Sequence, residues 1–264
     1  MQRIINSMVV NISGSKENQP VMFIHGFPLD RSMWDSQISF LRKNYYCITY
    51  DVRGLGSSYV GDGQYTMEAY VNDLFSIIGE LNIEKPVLCG LSMGGYIALR
   101  AVEKSQRTFK GLILCNTKSI ADDNKGKLVR AEKINKINTD GLDSFIDDFV
   151  PDCFAKESLK DFKEIVDSTV EKAKQNNPLG IKGALIAMLS RTDTTESLSK
   201  IQIPTLVIAG SFDKLTPPED MRKIADNLKN SEFAIVPRAG HLTPLENPGM
   251  VNDLINGFLK RRIK

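Results

Sequence analysis

The sequence predicts an α/β fold: a mostly parallel, doubly wound sheet that carries one inserted helical segment. Short apolar runs rich in β-branched residues alternate with stretches of helical periodicity, which is the order found when helices cover both faces of a parallel sheet. The apolar runs are continuous rather than alternating, as expected for strands buried on both sides. The chain has 264 residues, a length at which such folds still form one domain.

These patterns predict six buried strands and three long helices. The strands are expected at 20–24, 46–50, 86–89, 111–115, 205–209 and 233–236. The helices are expected at 66–81, 93–104 and 248–261, with Thr66 as the N-cap of the first. The region 118–200 is helical and highly charged, and its pattern fits equally an ordinary insertion packed on the core and a lid over a site.

Composition and charge exclude several classes of protein. The net charge is only +2, from 34 Lys+Arg against 32 Asp+Glu, so no nucleic-acid partner is expected. No apolar run approaches the ~18 residues that cross a bilayer, and the first residues lack the pattern of a signal peptide. We therefore expect no membrane partner and a cytoplasmic location. The sequence gives no indication of the oligomeric state.

Cysteines and histidines are few and scattered, which argues against a metal site. Four cysteines have neither paired metal-ligand spacing nor the density of a disulfide scaffold, and are interpreted as buried free thiols: Cys47, Cys89, Cys115 and Cys153. Only two histidines are present. We expect no metal and no cofactor.

The most informative motif is Gly90-Leu-Ser92-Met-Gly94, a G-x-S-x-G sequence placed after a predicted strand and before a predicted helix. Such a sequence forms a nucleophile elbow, in which a sharp turn exposes the serine hydroxyl. The glycines lack Cβ atoms, so neighbouring backbone can approach closely. Short motifs of this kind also occur in plain turns, but the flanking strand and helix favour Ser92 as a nucleophile.

A serine hydroxyl needs a base to accept its proton, and the sequence offers His25 and His241. In enzymes with this elbow, the nucleophile precedes the acid and the acid precedes the histidine, an order that selects His241. Asp213 follows a predicted strand by a few residues and is the predicted acid. Its rivals Glu219 and Asp220 fall in the first turn of a predicted helix, where acidic residues interact with the helix dipole.

Two main-chain N–H groups are predicted to stabilise an oxyanion. Met93 supplies one because it directly follows the nucleophile. The second is expected in the loop after the first predicted strand, where Pro28 has no N–H and Phe27 is chosen instead. His25 is interpreted as a brace of this loop. The predicted pocket wall comprises Pro28, Phe149, Met188, Leu215 and Leu242.

Five sequence blocks in this order resemble the α/β-hydrolase superfamily. They are His25-Gly-Phe-Pro28, Asp51-Val-Arg-Gly-Leu-Gly-Ser57, Gly90-Leu-Ser-Met-Gly-Gly95, Gly210-Ser-Phe-Asp213 and Gly240-His241. Asp51 and Arg53 in the second block are interpreted as a turn-stabilising pair. The chain is most similar to the small esterase and 3-oxoadipate enol-lactonase-like group. The resemblance implies one compact unit with an α/β-hydrolase core at 1–117 and 201–264 and a helical cap, or lid, at 118–200.

The resemblance also implies a function. A triad of Ser92, Asp213 and His241 beside the two oxyanion amides is expected to cleave small carboxylic esters or lactones through an acyl-enzyme. The substrates are expected to be small molecules, mostly uncharged. Cofactor-free haloperoxidase and perhydrolase relatives have a proline after the oxyanion residue, as Pro28 is here, so perhydrolysis is an expected side activity. The alternatives are a triad-retaining ligand receptor or signalling protein and a C–C bond hydrolase on the same fold.

Overall fold

The computed structural model describes residues 1–263, which form one eight-stranded sheet with helices packed around it. The strands are β1 Gln2–Ile5, β2 Met8–Ser13, β3 Pro20–Ile24, β4 Tyr46–Tyr50, β5 Val87–Leu91, β6 Gly111–Cys115, β7 Thr205–Gly210 and β8 Ser231–Val236. The helices are α1 Asp35–Leu41, α2 Met67–Glu80, α3 Met93–Ser105, α4 Asn124–Asp140, α5 Leu142–Asp152, α6 Ser158–Asp161, α7 Lys163–Lys174, α8 Pro178–Leu189, α9 Pro218–Asn227, α10 Thr243–Glu246 and α11 Pro248–Arg262.

The sheet has the strand order β1-β2-β4-β3-β5-β6-β7-β8, and every pair from β4 to β8 is parallel. Strand β3 lies between β4 and β5. From β3 the chain crosses to β4 towards one edge of the sheet, and from β4 it returns to β5 and continues towards the other edge. Because parallel crossovers are right-handed, this reversal places α1 on one face and α2 and α3 on the other. Accordingly, α1 packs against α11, and α2 packs against α3. The predicted doubly wound, mostly parallel sheet is confirmed.

All six predicted strands are present, and strand β5 extends two residues beyond its predicted end. It includes Gly90 and Leu91, so the strand runs directly into Ser92. Strands β3 to β7 are almost wholly buried, which explains why their sequences are continuously apolar. Thr66 caps α2 as predicted, since its side chain accepts a hydrogen bond from the N–H of Ala69.

The sequence analysis did not predict the antiparallel hairpin of β1 and β2 at one edge of the sheet. Three of the four residues of β1 are exposed, so the strand lacks the apolar pattern used to recognise the others. The hairpin turn is Asn6-Ser7, and both residues have positive φ, 45° and 69°. A two-residue turn of this kind matches the twist of the strands it joins, and asparagine is favoured in it.

Five helices, α4 to α8, lie between β6 and β7 in the chain. They pack on one another, α4 against α5 and α8, and α5 against α7. This is the predicted inserted helical cap, although its exact bounds at 118–200 stay a prediction. None of the helices within residues 1–263 is long and apolar enough to cross a membrane.

Candidate active site

Ser92 occupies a strained position between β5 and α3. Its φ is 53° and its ψ is −114°, a backbone conformation that residues with a Cβ atom rarely adopt. Hydrogen bonds hold the residue there: its N–H donates to the carbonyl of Cys115 at 3.0 Å, and its carbonyl accepts from the Thr117 hydroxyl at 2.7 Å. This is the elbow geometry that the G-x-S-x-G sequence predicts.

The two glycines of the motif allow the elbow to pack tightly. A Cβ atom on Gly90 would lie 2.3 Å from the carbonyl oxygen of Gly94, and one on Gly94 would lie 2.2 Å from the carbonyl oxygen of Ile24. Both contacts are with backbone, which cannot rotate away as a flexible side chain does. The absence of a side chain at Gly90 therefore lets β5 pack against the start of α3, and its absence at Gly94 lets α3 pack against β3.

Gly94→Ala is expected to lower the free energy of unfolding by about 1–3 kcal/mol, because the new methyl group must displace the β3 backbone. A urea unfolding curve measures the change as a lower midpoint. Gly79→Ala is the matched control: Gly79 is in α2, and its Cβ would meet no atom within 4 Å. That variant is expected to gain up to about 1 kcal/mol. Equal midpoints for the two variants would contradict the close-packing argument.

His241 and Asp213 are brought together from the loops that follow β8 and β7. The His241 Nδ1 lies 2.8 Å from the Asp213 Oδ2, and both residues are 4% exposed. The main-chain N–H of His241 donates to the carbonyl of Cys153 at 2.8 Å, which fixes the loop against the helical cap. With its Nδ1 occupied by a carboxylate, the imidazole presents its Nε2 for proton transfer.

Asp213 is held in its charged form by a dense set of donors. The N–H groups of Leu215 and Thr216 donate to its Oδ1 at 2.8 and 3.0 Å. Asn116 Nδ2 donates to Oδ2 at 2.8 Å, and the Thr216 hydroxyl also donates to Oδ2. Burial alone would raise the pKa of Asp213, but the attraction of His241 and these hydrogen bonds outweigh it and lower the pKa to about 2.

Glu246 is a buried carboxylate that the sequence analysis did not single out. Its Oε1 accepts hydrogen bonds from the N–H groups of Gly240 and Leu242, at 2.9 and 3.1 Å, on either side of His241. Its Oε2 accepts from the N–H of Ala155 and from the Ser158 hydroxyl, at 2.8 and 2.7 Å. One side chain thus fastens the histidine loop to the segment between α5 and α6.

Ser92 and His241 line the same cavity, which has a volume of about 210 Å³. The remaining lining residues are Phe27, Tyr96, Lys118, Asp122, Gly126, Val129, Arg130, Lys133, Phe149, Met188, Leu215 and Thr216. The cavity lies between the carboxyl edge of the sheet and the helical cap, where the strand order reverses. This is the place at which open α/β sheets bind their ligands.

The cavity wall differs from the predicted one at two positions. Phe149, Met188 and Leu215 line the cavity, whereas Pro28 and Leu242 do not. Leu242 is 2% exposed and packs in the hydrophobic core, and the carbonyl of Pro28 is turned to the side chain of Asn176 at 3.0 Å.

Of the two predicted oxyanion donors, Met93 directly follows the serine in the chain and Phe27 lines the same cavity as the serine. Met93 is the first residue of α3, so its N–H has no partner within the helix. Phe27 lines the cavity, and its N–H donates to no other group within residues 1–263. His25 lies beside them with both ring nitrogens engaged, since Nε2 accepts from the N–H of Val52 at 2.9 Å and Nδ1 lies 3.0 Å from the carbonyl of Gly26. Burial lowers the pKa of His25, which favours this neutral, bracing form.

The sequence analysis missed the charged part of the cavity wall. Asp122, Arg130 and Lys133 are on or next to α4, a helix without an apolar stripe whose charges read as a solvated surface. Arg130 and Arg191 both pair with Asp122, the latter at 2.9 Å. A charged helix that covers a cavity has the same sequence pattern as one that faces water, so only the packing distinguishes them.

The sheet, the elbow serine and the adjacent His–Asp pair define a class of enzymes, the hydrolases built around a nucleophile elbow. The chain belongs to the family described as alpha/beta hydrolase fold, whose model matches residues 19–248. It is similar over its whole length to a thermophilic esterase from Thermogutta terrifontis, solved with malate bound, at 32% identity and a TM-score of 0.94, with 100% of this chain and 99% of that chain covered.

Two further relatives differ in their named activities. The 3-oxoadipate enol-lactonase 1 of Acinetobacter baylyi is 28% identical over 254 residues, covering 96% of this chain and 93% of the relative. The non-heme chloroperoxidase of Burkholderia pyrrocinia is 27% identical over 272 residues, covering 94% of each. The predicted superfamily, the predicted fold with its helical cap and the predicted enzyme class of carboxylic-ester hydrolase are confirmed.

Proposed function

We propose that this chain hydrolyses small carboxylic esters or lactones through an acyl-enzyme formed on Ser92. The observation that carries the proposal is the convergence of an elbow serine and a carboxylate-bound histidine on one cavity, with Asp213 and His241 2.8 Å apart. Neither a plain turn nor an isolated structural histidine accounts for that convergence. The alternatives that retain the same residues, a ligand receptor and a C–C bond hydrolase, are separated by the experiment below.

The proposed reaction has two halves. His241 accepts the Ser92 proton as the hydroxyl oxygen attacks the acyl carbon, and Asp213 stabilises the imidazolium. The main-chain N–H groups of Phe27 and Met93 hold the oxyanion, and the alcohol leaves with the proton from His241. Water then attacks the acyl-enzyme with His241 as base, which releases the acid. Each oxyanion donor contributes about 10²–10³-fold and the base about 10²–10⁴-fold.

The size of the cavity supports small substrates. Its volume of about 210 Å³ is below the roughly 300–1,000 Å³ of pockets for drug-sized ligands. The similar esterase and enol-lactonase support esters and lactones as the reacting groups.

The proposal is tested by sustained turnover and by covalent labelling. We expect wild-type protein to release p-nitrophenol from p-nitrophenyl acetate and butyrate over many turnovers. A fluorophosphonate is expected to form a P–O bond to Ser92 with release of fluoride, an adduct identified by peptide mass. His241→Ala is expected to slow that labelling at least 100-fold. A single burst without turnover would favour a receptor, and labelling without turnover of any simple ester would favour a C–C bond hydrolase.

Perhydrolysis is a second candidate activity, because a similar protein is named a non-heme chloroperoxidase and Pro28 follows the proposed oxyanion residue Phe27. In this reaction hydrogen peroxide replaces water as the nucleophile that attacks the acyl-enzyme, and a peracid leaves. The ester assay repeated with added hydrogen peroxide would form peracid in wild type. If no peracid forms in that assay, the proposed activity is hydrolysis without perhydrolysis.

A further inference from the structure

The cavity wall is unexpectedly rich in positive charge for an enzyme of small neutral esters. Lys118, Arg130 and Lys133 line it together with a single carboxylate, Asp122. Arg130 and Arg191 both bind that carboxylate, so its negative charge is already compensated. The lysine ammonium groups are not paired in this way.

Lys133 is the lysine of this wall whose ammonium group contacts another cavity-lining side chain. Its Nζ lies 4.2 Å from the centroid of the Phe149 ring, which also lines the cavity. Within residues 1–263 it forms no ion pair, and Asp122 and Asp152 attract it only from a greater distance. Burial, and next to it the charge of Arg130, lowers the pKa of Lys133. The residue is half-buried, and its ammonium group has no directly contacting counter-charge within residues 1–263.

The aromatic contacts relate this ammonium to the reacting centre. The Phe149 ring lies 5.7 Å from that of Phe27, the residue whose N–H is a proposed oxyanion donor. It also stacks on Phe145 at 5.4 Å, which fixes its orientation. Lys133, Phe149 and Phe27 line the same cavity of about 210 Å³ as Ser92, so an anion bound at Lys133 shares that small space with an ester at the serine.

We propose that Lys133 forms an anion subsite in this cavity and selects esters or lactones that carry a carboxylate a few carbons from the reacting carbonyl. Monoesters of short dicarboxylic acids are the simplest members of this class. The inference rests on the proposed ester hydrolysis and differs from the expectation of mostly uncharged substrates. A bound carboxylate supplies the counter-charge that the protein does not provide.

The test compares monomethyl succinate with methyl levulinate, in which a neutral acetyl group replaces the carboxylate at nearly the same size. Wild type is expected to have the higher kcat/KM for the succinate ester, measured by methanol release. Lys133→Met is expected to lower that value about 10–100-fold, the range expected for a hydrogen bond to a charged group, and to change methyl levulinate less than about 3-fold. Lys133→Arg is expected to retain most of the preference.

Two controls test the location of the effect. Lys127→Met removes a charge from an exposed position of the same helix and is expected to leave the preference unchanged. Lys118→Met tests the other lysine of the wall. An equal loss in Lys118→Met or Lys127→Met, or a wild type without preference, would overturn the assignment to Lys133.

A binding experiment separates this inference from the proposed hydrolysis. Calorimetry with Ser92→Ala measures the affinity for monomethyl succinate without turnover, and adding Lys133→Met is expected to weaken it about 10-fold or more. If wild type cleaves neither ester but this binding depends on Lys133, the subsite stands and the hydrolysis fails. If both esters are cleaved equally and binding is independent of Lys133, the hydrolysis stands and the subsite fails.

Discussion

Replacing Ser92 by alanine is expected to reduce kcat for short-chain p-nitrophenyl esters about a million-fold. The hydroxyl is the only atom group of the proposed site that forms a bond to the substrate, and the loss of a nucleophile in such a triad removes the work of the other members as well. The measurement is the initial rate at saturating ester, with fluorophosphonate labelling as a second readout.

The matched control for this variant is Ser36→Ala, which removes a hydroxyl from an exposed position of α1. It is expected to keep wild-type kcat. Both variants are expected to retain the circular dichroism spectrum of the native protein. Turnover by Ser92→Ala above a hundredth of the wild-type rate would exclude Ser92 as the nucleophile.

Asp213→Asn is expected to lower kcat about 10⁴-fold with little change in KM. An asparagine preserves the shape of the side chain, but it removes the negative charge and favours the wrong tautomer of His241. Asp220→Asn is the matched control, because Asp220 lies on α9 and pairs only with the exposed Lys223 at 3.0 Å. A comparable loss in both variants would argue against the assignment of Asp213 as the acid.

Acid stability gives Asp213→Asn a second readout that is independent of catalysis. The pKa of Asp213 falls from 3.8 to about 2 in the folded protein, so its carboxylate stabilises the fold above about pH 4. That contribution, on the order of 2 kcal/mol, is lost as the pH falls from about 4 to 2. The urea midpoint is expected to depend less on pH across this range in Asp213→Asn than in wild type. In Asp220→Asn its dependence on pH is expected to be the same as in wild type.

Buried strands and helices with a repeated apolar pattern could be predicted from the sequence. Candidate site residues could be predicted because they follow these strands in the chain. Ser92 could be named as a candidate because it directly follows a buried strand, Asp213 because it lies a few residues after another, and His241 because chain order selects it. The edge hairpin was not predicted because β1 has only four residues, and its first two, Gln2 and Arg3, are polar. Its turn at Asn6 and Ser7 is a local signal that could have revealed it.

Ion pairing could not be predicted, because partners distant in sequence decide it. Asp51 and Arg53 are two residues apart and were interpreted as a pair, but the structure contradicts this. Asp51 binds the guanidinium of Arg31, and Arg53 binds Asp73 through its Nε at 2.8 Å. Both residues still fix the turn after β4, so their structural role was recognised and their partners were not.

The four hydrogen bonds to Glu246 have a mechanical consequence. Two of the donors lie on either side of His241 in the chain, and the other two belong to the cap. Moving the cap away as a rigid body would therefore also move His241 away from Ser92. A conformation in which the cap has moved away is therefore expected to be inactive. Ligands are therefore expected to enter and leave by rotation of side chains that line the cavity, Lys118 and Arg130 among them, while the cap stays in place.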